Sequence, residues 1–140
     1  MHLSHLLYIS AATPGFGPVD VADILLAARR NNPAHQVTGM LLFIGTMFLQ
    51  AIEGPEEEVA TLIRRIGLDT RHSRMTVLIH GPAEARRFKR WSMGYERIAN
   101  PSVDLFELMR AGLDNRLQPP QCEALASLIG TFTEPKARSA

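Results

Sequence analysis

The sequence holds little that could staple, anchor or polarise it. One cysteine, Cys122, stands among 140 residues. It cannot close an internal disulfide, and no Cys/His spacing around it suits zinc. A reducing, cytoplasmic setting is the expectation. The longest stretch without Asp, Glu, Lys, Arg or His runs from Gln36 to Ile52. It falls short of the ~20 apolar residues of a membrane helix, and Gly39, Gly45 and Gln50 interrupt it. Met1-His2-Leu3-Ser4-His5 lacks the basic and apolar blocks of a signal peptide. Neither charge sign prevails: the formal net charge is +1, which gives no electrostatic case for nucleic acid. Arg86, Arg87, Lys89 and Arg90 do cluster, and read as a solvated loop. The glycines form no phosphate-binding fingerprint. His2, His5, His35, His72 and His80 are scattered, with no nucleophile-base-acid set among them. The case for an enzyme is therefore thin.

What is present suits one globular domain: 46% hydrophobic and 21% charged residues in a length that can bury a core. Leu6-Leu7-Tyr8-Ile9 reads as a first strand, stopped by Ser10 to Gly15. Pro18 opens a helix in which Val21, Ile24, Leu25 and Ala28 share a face, with Asp20 in its first turn and Pro33 as its limit. Val37–Ile44 and Met47–Glu53 are β-rich runs, joined by Gly45-Thr46, a type II′ hairpin signal. Pro55 at the first position and Glu56-Glu57-Glu58 start a second helix bearing Val59, Leu62, Ile63 and Ile66, with Arg64 and Arg65 near its end and Gly67 as terminator. Met75–His80 and Trp91–Ile98 read as strands four and five, the latter with Trp91, Met93 and Tyr95 on one face. The order β-α-β-β-α-β-β predicts an α+β, ferredoxin-like sheet with one extra strand and two helices on one face. Two short C-terminal helices, around Leu105–Met109 and from Pro119 past Ile129, should cover the other face or a partner. The expected divisions are 1–98, a cap at 99–133 and a polar tail at 134–140.

One residue does not fit. Phe48, Gln50 and Ile52 share a strand face, so an amide sits among apolar neighbours and must find partners. Taken singly, the polar residues have ordinary explanations. Gln50 could bond backbone, Tyr8, Trp91 and Met93 could be core, and Asn31-Asn32 could simply close a helix.

Taken together they resemble the BLUF domain family, flavin-binding sensors of blue light. The resemblance runs in order through Leu6-Leu7-Tyr8-Ile9-Ser10, Asn31-Asn32-Pro33 and Val37-Thr38-Gly39-Met40-Leu41-Leu42. It continues through Phe48-Leu49-Gln50-Ala51-Ile52-Glu53-Gly54, Asp69-Thr70-Arg71-His72 and Trp91-Ser92-Met93. It implies a stand-alone photoreceptor holding FAD, with FMN or riboflavin poorly distinguished because no glycine-rich loop grips a diphosphate. By position it implies Tyr8 as electron donor and Gln50 between that phenol and the flavin ring. Asn31 and Asn32 would hold the pyrimidine edge and tail, and Ile24 and Ile66 would sandwich the ring. Arg65, Asp69, Arg71 and His72 would complete the site, and Trp91 and Met93 would report the state of Gln50. It further implies signalling through protein contacts, to an effector or to other copies of the chain, and not catalysis. A light-independent flavoprotein, a ferredoxin-like enzyme and a flavin-free oligomeric module are the alternatives.

Overall fold

The structure, a computed structural model, describes residues 2–132; the polar tail at 134–140 lies outside the described residues. Five strands form one sheet: β1 Leu3–Ala12, β2 Thr38–Ile44, β3 Met47–Pro55, β4 His72–Pro82 and β5 Gly94–Ile98. Their spatial order is β4-β1-β3-β2-β5. The pairs β4–β1, β1–β3 and β3–β2 are antiparallel, and β5 runs parallel to β2. This is the expected ferredoxin-like sheet with its additional strand.

Alternation along the strands sends side chains to two covered faces, which is why β1, β2 and β3 read as nearly continuous apolar runs. On one face Leu6, Tyr8 and Ile52 meet α2 (Glu56–Gly67), while Leu41, Phe43 and Phe48 meet α1 (Pro18–Asn31). On the other, Leu7, Ile9, Leu42 and Leu49 pack with Met109 of α3 (Val103–Leu113) and with Leu125 and Ile129 of α4 (Pro119–Gly130). The C-terminal helices thus cover the second face within a single copy.

Local chemistry accounts for most boundaries. Pro18 opens α1, and Asp20 accepts the Gly17 N–H at 3.0 Å. Gly45 takes φ +62° between the paired Ile44 and Met47, while Thr46 keeps a negative φ, as a type II′ turn requires. Four expectations shift. Strand β1 is longer than Leu6–Ile9 and runs past Ser10 to Ala12, with Ser10 and Ala11 still paired to Phe48 and Met47. Pro55 is the N-cap of α2, not its first residue. Gly67 stays inside α2, which closes through bonds from Leu68 N to Arg65 O and Asp69 N to Ile66 O, with no left-handed glycine. Strand β4 is longer than Met75–His80 because irregular pairing past Ile9 lets Ser73 and His72 still meet Ala11 and Ala12.

The largest correction is at strand five. It begins at Gly94, not Trp91. The Trp91 carbonyl accepts from Gly39 N, but the carbonyls of Ser92 and Met93 are taken by the side chains of Asn32 and Arg29. The backbone therefore leaves the ladder, and strand alternation does not apply. Trp91 and Met93 consequently lie on opposite faces: Met93 among Leu41, Phe43 and Phe48, Trp91 with the α3–α4 core. Trp91 rests on Gly94, where a Cβ would come within 2.3 Å of the indole and 2.6 Å of Met40 Sδ. Gly94→Ala is therefore expected to unseat the protein's one tryptophan, read as a red shift of tryptophan emission. Unchanged emission would show that the seat adapts.

Candidate functional site

Tyr8 on β1 and Gln50 on β3 are directly opposed cross-strand neighbours, and Leu41 on β2 flanks Gln50 on its other side. The three form the floor of a cleft roofed by α1 and α2. Tyr8 and Gln50 are 4% and 5% exposed, so their polar atoms must pair within the protein. The Tyr8 hydroxyl donates to Gln50 Oε1. Gln50 Nε2 donates to Met93 Sδ at 3.3 Å. The misplaced amide is thus the middle of a phenol–amide–thioether series. Burial, helped by the negative charge of Asp69, holds the Tyr8 phenol well above its usual pKa. Tyr8 therefore stays protonated and remains a donor.

The cleft holds a cavity of about 180 Å3 that opens to solvent at its mouth. Ile24 lines it from α1 and Ile66 from α2. Asn31, Asn32, Arg65, Asp69, Arg71 and His72 supply its polar lining. Every expected site residue except Trp91 lies here, Met93 included. Trp91 belongs to the opposite face.

The polar lining is organised by bonds within the chain. Arg71 clasps Asp69 through Nε and Nη2, at 2.7 Å for the closest contact. That hydrogen bonding holds the Asp69 carboxyl below the usual range and raises Arg71. His72 Nε2 faces the Ile66 carbonyl at 2.7 Å, and Nδ1 faces Ser10 Oγ at 2.8 Å. A carbonyl only accepts, so Nε2 carries a proton and donates to it. Asn32 Nδ2 donates to Ser92 O at 2.6 Å, and Arg29 Nε to Met93 O at 3.0 Å.

Sequence reasoning missed Ala27, Ala28 and Leu62, which also line the cleft, and Leu41 and Phe48 as its floor. Two adjacent alanines on a sheet-facing helix were the available signal, because small side chains leave room. Ser10 and Arg29, which hold His72 and Met93, left no sequence signal. Arg86 and Arg87 are not merely solvated: Arg86 donates to Thr38 Oγ1 and to the Glu53 and Gln36 carbonyls, and Arg87 to Ala126 O.

Comparison with known proteins identifies the family. The BLUF family, described as "Sensors of blue-light using FAD", matches residues 3–94. The chain is 35% identical over 92 residues to photoactivated adenylate cyclase subunit beta of Euglena gracilis, covering 65% of this chain and 11% of that protein. It is 34% identical over 116 residues to the blue light- and temperature-regulated antirepressor BluF of Escherichia coli (strain K12), covering 83% and 26%. It therefore spans only 11% to 26% of the length of these two curated relatives. The solved dark-state structure of BlrB, a BLUF protein, superposes with a TM-score of 0.73 at 31% identity, covering 93% of this chain and 96% of that one. Klebsiella pneumoniae BlrP1, solved with FMN and cyclic diGMP, gives 0.66 at 31% identity, covering 79% and 30%. With its sheet, its cleft and the Tyr8–Gln50 pair at the floor, the chain belongs to the BLUF family of flavin-using blue-light sensors.

Proposed function

We propose that this sensor reports light through a hydrogen-bond exchange at Gln50 and passes the change on by protein contact, not by catalysis. The Tyr8–Gln50–Met93 series on the cleft floor carries the reading. Bound flavin supplies absorption of blue light and an excited state that accepts an electron. Tyr8 is the proposed donor of that electron. Its proton already lies in the hydrogen bond to Gln50. The two ends of the Gln50 amide are nearly equal in shape, so exchanging them, by rotation or tautomerisation, rearranges donors and acceptors while moving little volume. Both resting bonds of the amide are given up, the one accepted from the Tyr8 hydroxyl and the weaker one donated to the Met93 sulfur. A donor from Gln50 newly directed at a ring carbonyl would lower the excitation energy and shift absorption to the red.

The cleft suits a flat, mostly apolar ring with one polar edge. Helices that pack directly on a sheet bury a stripe. Here α1 has no fully buried residue and α2 has only Val59, because open space lies beneath them. Ile24 and Ile66 would flank the ring, and Asn31 and Asn32 would meet its pyrimidine edge. Among the described residues the Arg65 guanidinium has no hydrogen-bond partner, which suits it to a ring carbonyl or the ribityl chain. Arg71 with Asp69 would border the same edge. His72, with both nitrogens engaged, would hold the Ile66 wall in place. FAD is the proposed cofactor. FMN and riboflavin should bind comparably, since no phosphate-binding loop grips the tail.

Asn32→Ala is expected to weaken flavin binding by roughly ten- to a hundredfold, the ~1–3 kcal/mol of a buried hydrogen bond lost. Flavin titration checks this, and an unchanged dissociation constant would reduce Asn32 to a tie for Ser92.

Output is proposed to leave through α3 and α4, treating 1–98 as the sensing unit and 99–133 as its cap, toward an effector or a second copy. No helix among the described residues is long and apolar enough to cross a membrane. The proposed setting is cytoplasmic, where the Cys122 thiol stays reduced. Hydrogen exchange should differ between dark and lit protein more in Trp91–Ile129 than in Val37–Ile44. A difference confined to the cleft would send the signal elsewhere. The deciding experiment for the whole reading is a dark-minus-light absorption spectrum of the flavin-loaded protein. A reversible red shift is expected; yellow protein without photochromism would make it a light-independent flavoprotein.

A further inference from the structure

We infer that Glu53 is a positioning residue for the light response. It fixes the strap of residues 83–93 that carries Met93 to Gln50, and so sets the rate at which the resting arrangement returns. This rests on the exchange proposed at Gln50.

Glu53 lies on β3 three residues beyond Gln50, on the opposite face, and is 3% exposed. A carboxylate so buried persists only if its oxygens are fully paired. Its partners are two backbone groups of the strap and the hydroxyl of Thr38 on β2, with no cation on the carboxylate among the described residues. Oε2 accepts from Arg87 N at 2.6 Å. Oε1 accepts from Phe88 N at 2.8 Å and from Thr38 Oγ1 at 3.1 Å. Two successive N–H groups closing on one anion fix a loop at a point, much as a backbone nest holds a bound anion.

From that point to the cleft the strap has little slack. Phe88 O accepts Trp91 N at 3.0 Å, and Trp91 O accepts Gly39 N at 3.1 Å. Asn32 and Arg29 hold the next two carbonyls, and Gln50 holds the Met93 sulfur. In the other direction Arg87 Nη1 reaches Ala126 O of α4 at 3.2 Å. Glu53 is therefore the fixed point between the cleft and α4. A cavity of about 40 Å3, bounded by Glu53, Phe88, Ala126 and Ile129 among others, adjoins it and leaves room for the strap to shift. When the Gln50 N–H leaves Met93, the strap must absorb the change. When it returns, a fixed strap presents the sulfur in place. A loosened strap presents it rarely, and return slows.

The test uses the full chain loaded with FAD, with the thermal decay of the red shift as readout. Glu53→Gln keeps size but sets an amide N–H2 against a backbone N–H. It should retain the red shift and slow its decay roughly tenfold, the effect of one charge-assisted hydrogen bond. Thr38→Val removes the third bond at equal size and should slow decay by about two- to threefold. Met109→Ala, a core truncation in α3, is the control: it should lower the melting temperature and leave the decay within about twofold of wild type. Absence of any red shift in the wild type would overturn the Gln50 reading itself. If the wild type switches, wild-type decay in Glu53→Gln overturns only the role of Glu53. So does equal slowing in Met109→Ala. If Glu53→Gln does not fold, an unchanged decay in Thr38→Val overturns it.

Discussion

Gln50→Leu is expected to keep flavin in the cleft and to lose the light-induced red shift entirely. Leucine nearly matches glutamine in volume, and position 50 lies on a central strand between Tyr8 and Leu41, where a branched apolar side chain packs well. What goes is the amide. The Tyr8 hydroxyl loses its acceptor and Met93 its donor. An unpaired buried phenol costs ~1–3 kcal/mol, while burying a leucine side chain contributes ~1.5–3 kcal/mol. The two offset, so the fold should survive and the spectrum should be decided by chemistry alone. No other side chain described at the floor of the cleft has a donor end and an acceptor end to exchange. The dark-minus-light difference spectrum checks this, and a normal shift would remove Gln50 from the proposed mechanism.

Tyr8→Phe should fold, bind flavin and fail to cycle. Only the hydroxyl is removed, so the ring still fills its place on β1 beside His72, whose centroid lies 6.2 Å away. Without the hydroxyl the ring is much harder to oxidise and has no proton to give. Gln50 Oε1 also loses its donor. Flavin emission should last longer, because the proposed quencher is gone, and the red shift should disappear with it. A wild-type fluorescence lifetime together with a full photocycle would reject Tyr8 as the donor. The two variants separate the roles: Gln50→Leu should keep the short lifetime, since the phenol remains, while Tyr8→Phe lengthens it.

Much of the fold was legible because it is written in local chemistry. Pro18 and Asp20 at the head of α1, and Gly45-Thr46 between two apolar runs, are short-range signals that tertiary structure did not override. Gln50 was legible for the opposite reason, as a polar residue on a strand face that asked for apolar ones. Strand five was misread because its start is decided by distant side chains. Asn32 and Arg29 take the carbonyls that a strand would have used, and nothing near Ser92 announces it. The same holds for Ser10, Arg29 and Glu53, whose roles are to bond groups far along the chain. The cleft itself is an absence, made by Ala27 and Ala28 and by helices held off the sheet, and a linear pattern of residues records volume poorly.

The two covered faces of this sheet leave it with a problem of frame. A strand that is apolar on one side and polar on the other detects a one-residue slip at once, because the slip exposes its core. Here β3 is apolar on both sides, so hydrophobicity alone would accept a misread pairing with little complaint. An out-of-frame β3 would turn Gln50 beneath α4 and Glu53 toward α2, giving a compact product that is blind to light. Errors of that kind are rejected by three small marks: the positive φ of Gly45 in a two-residue turn, the Tyr8–Gln50 bond and the Glu53 bonds to Arg87 and Phe88. The polar atoms that serve the response therefore also proofread the fold, and a chain in which they are satisfied has been assembled in register.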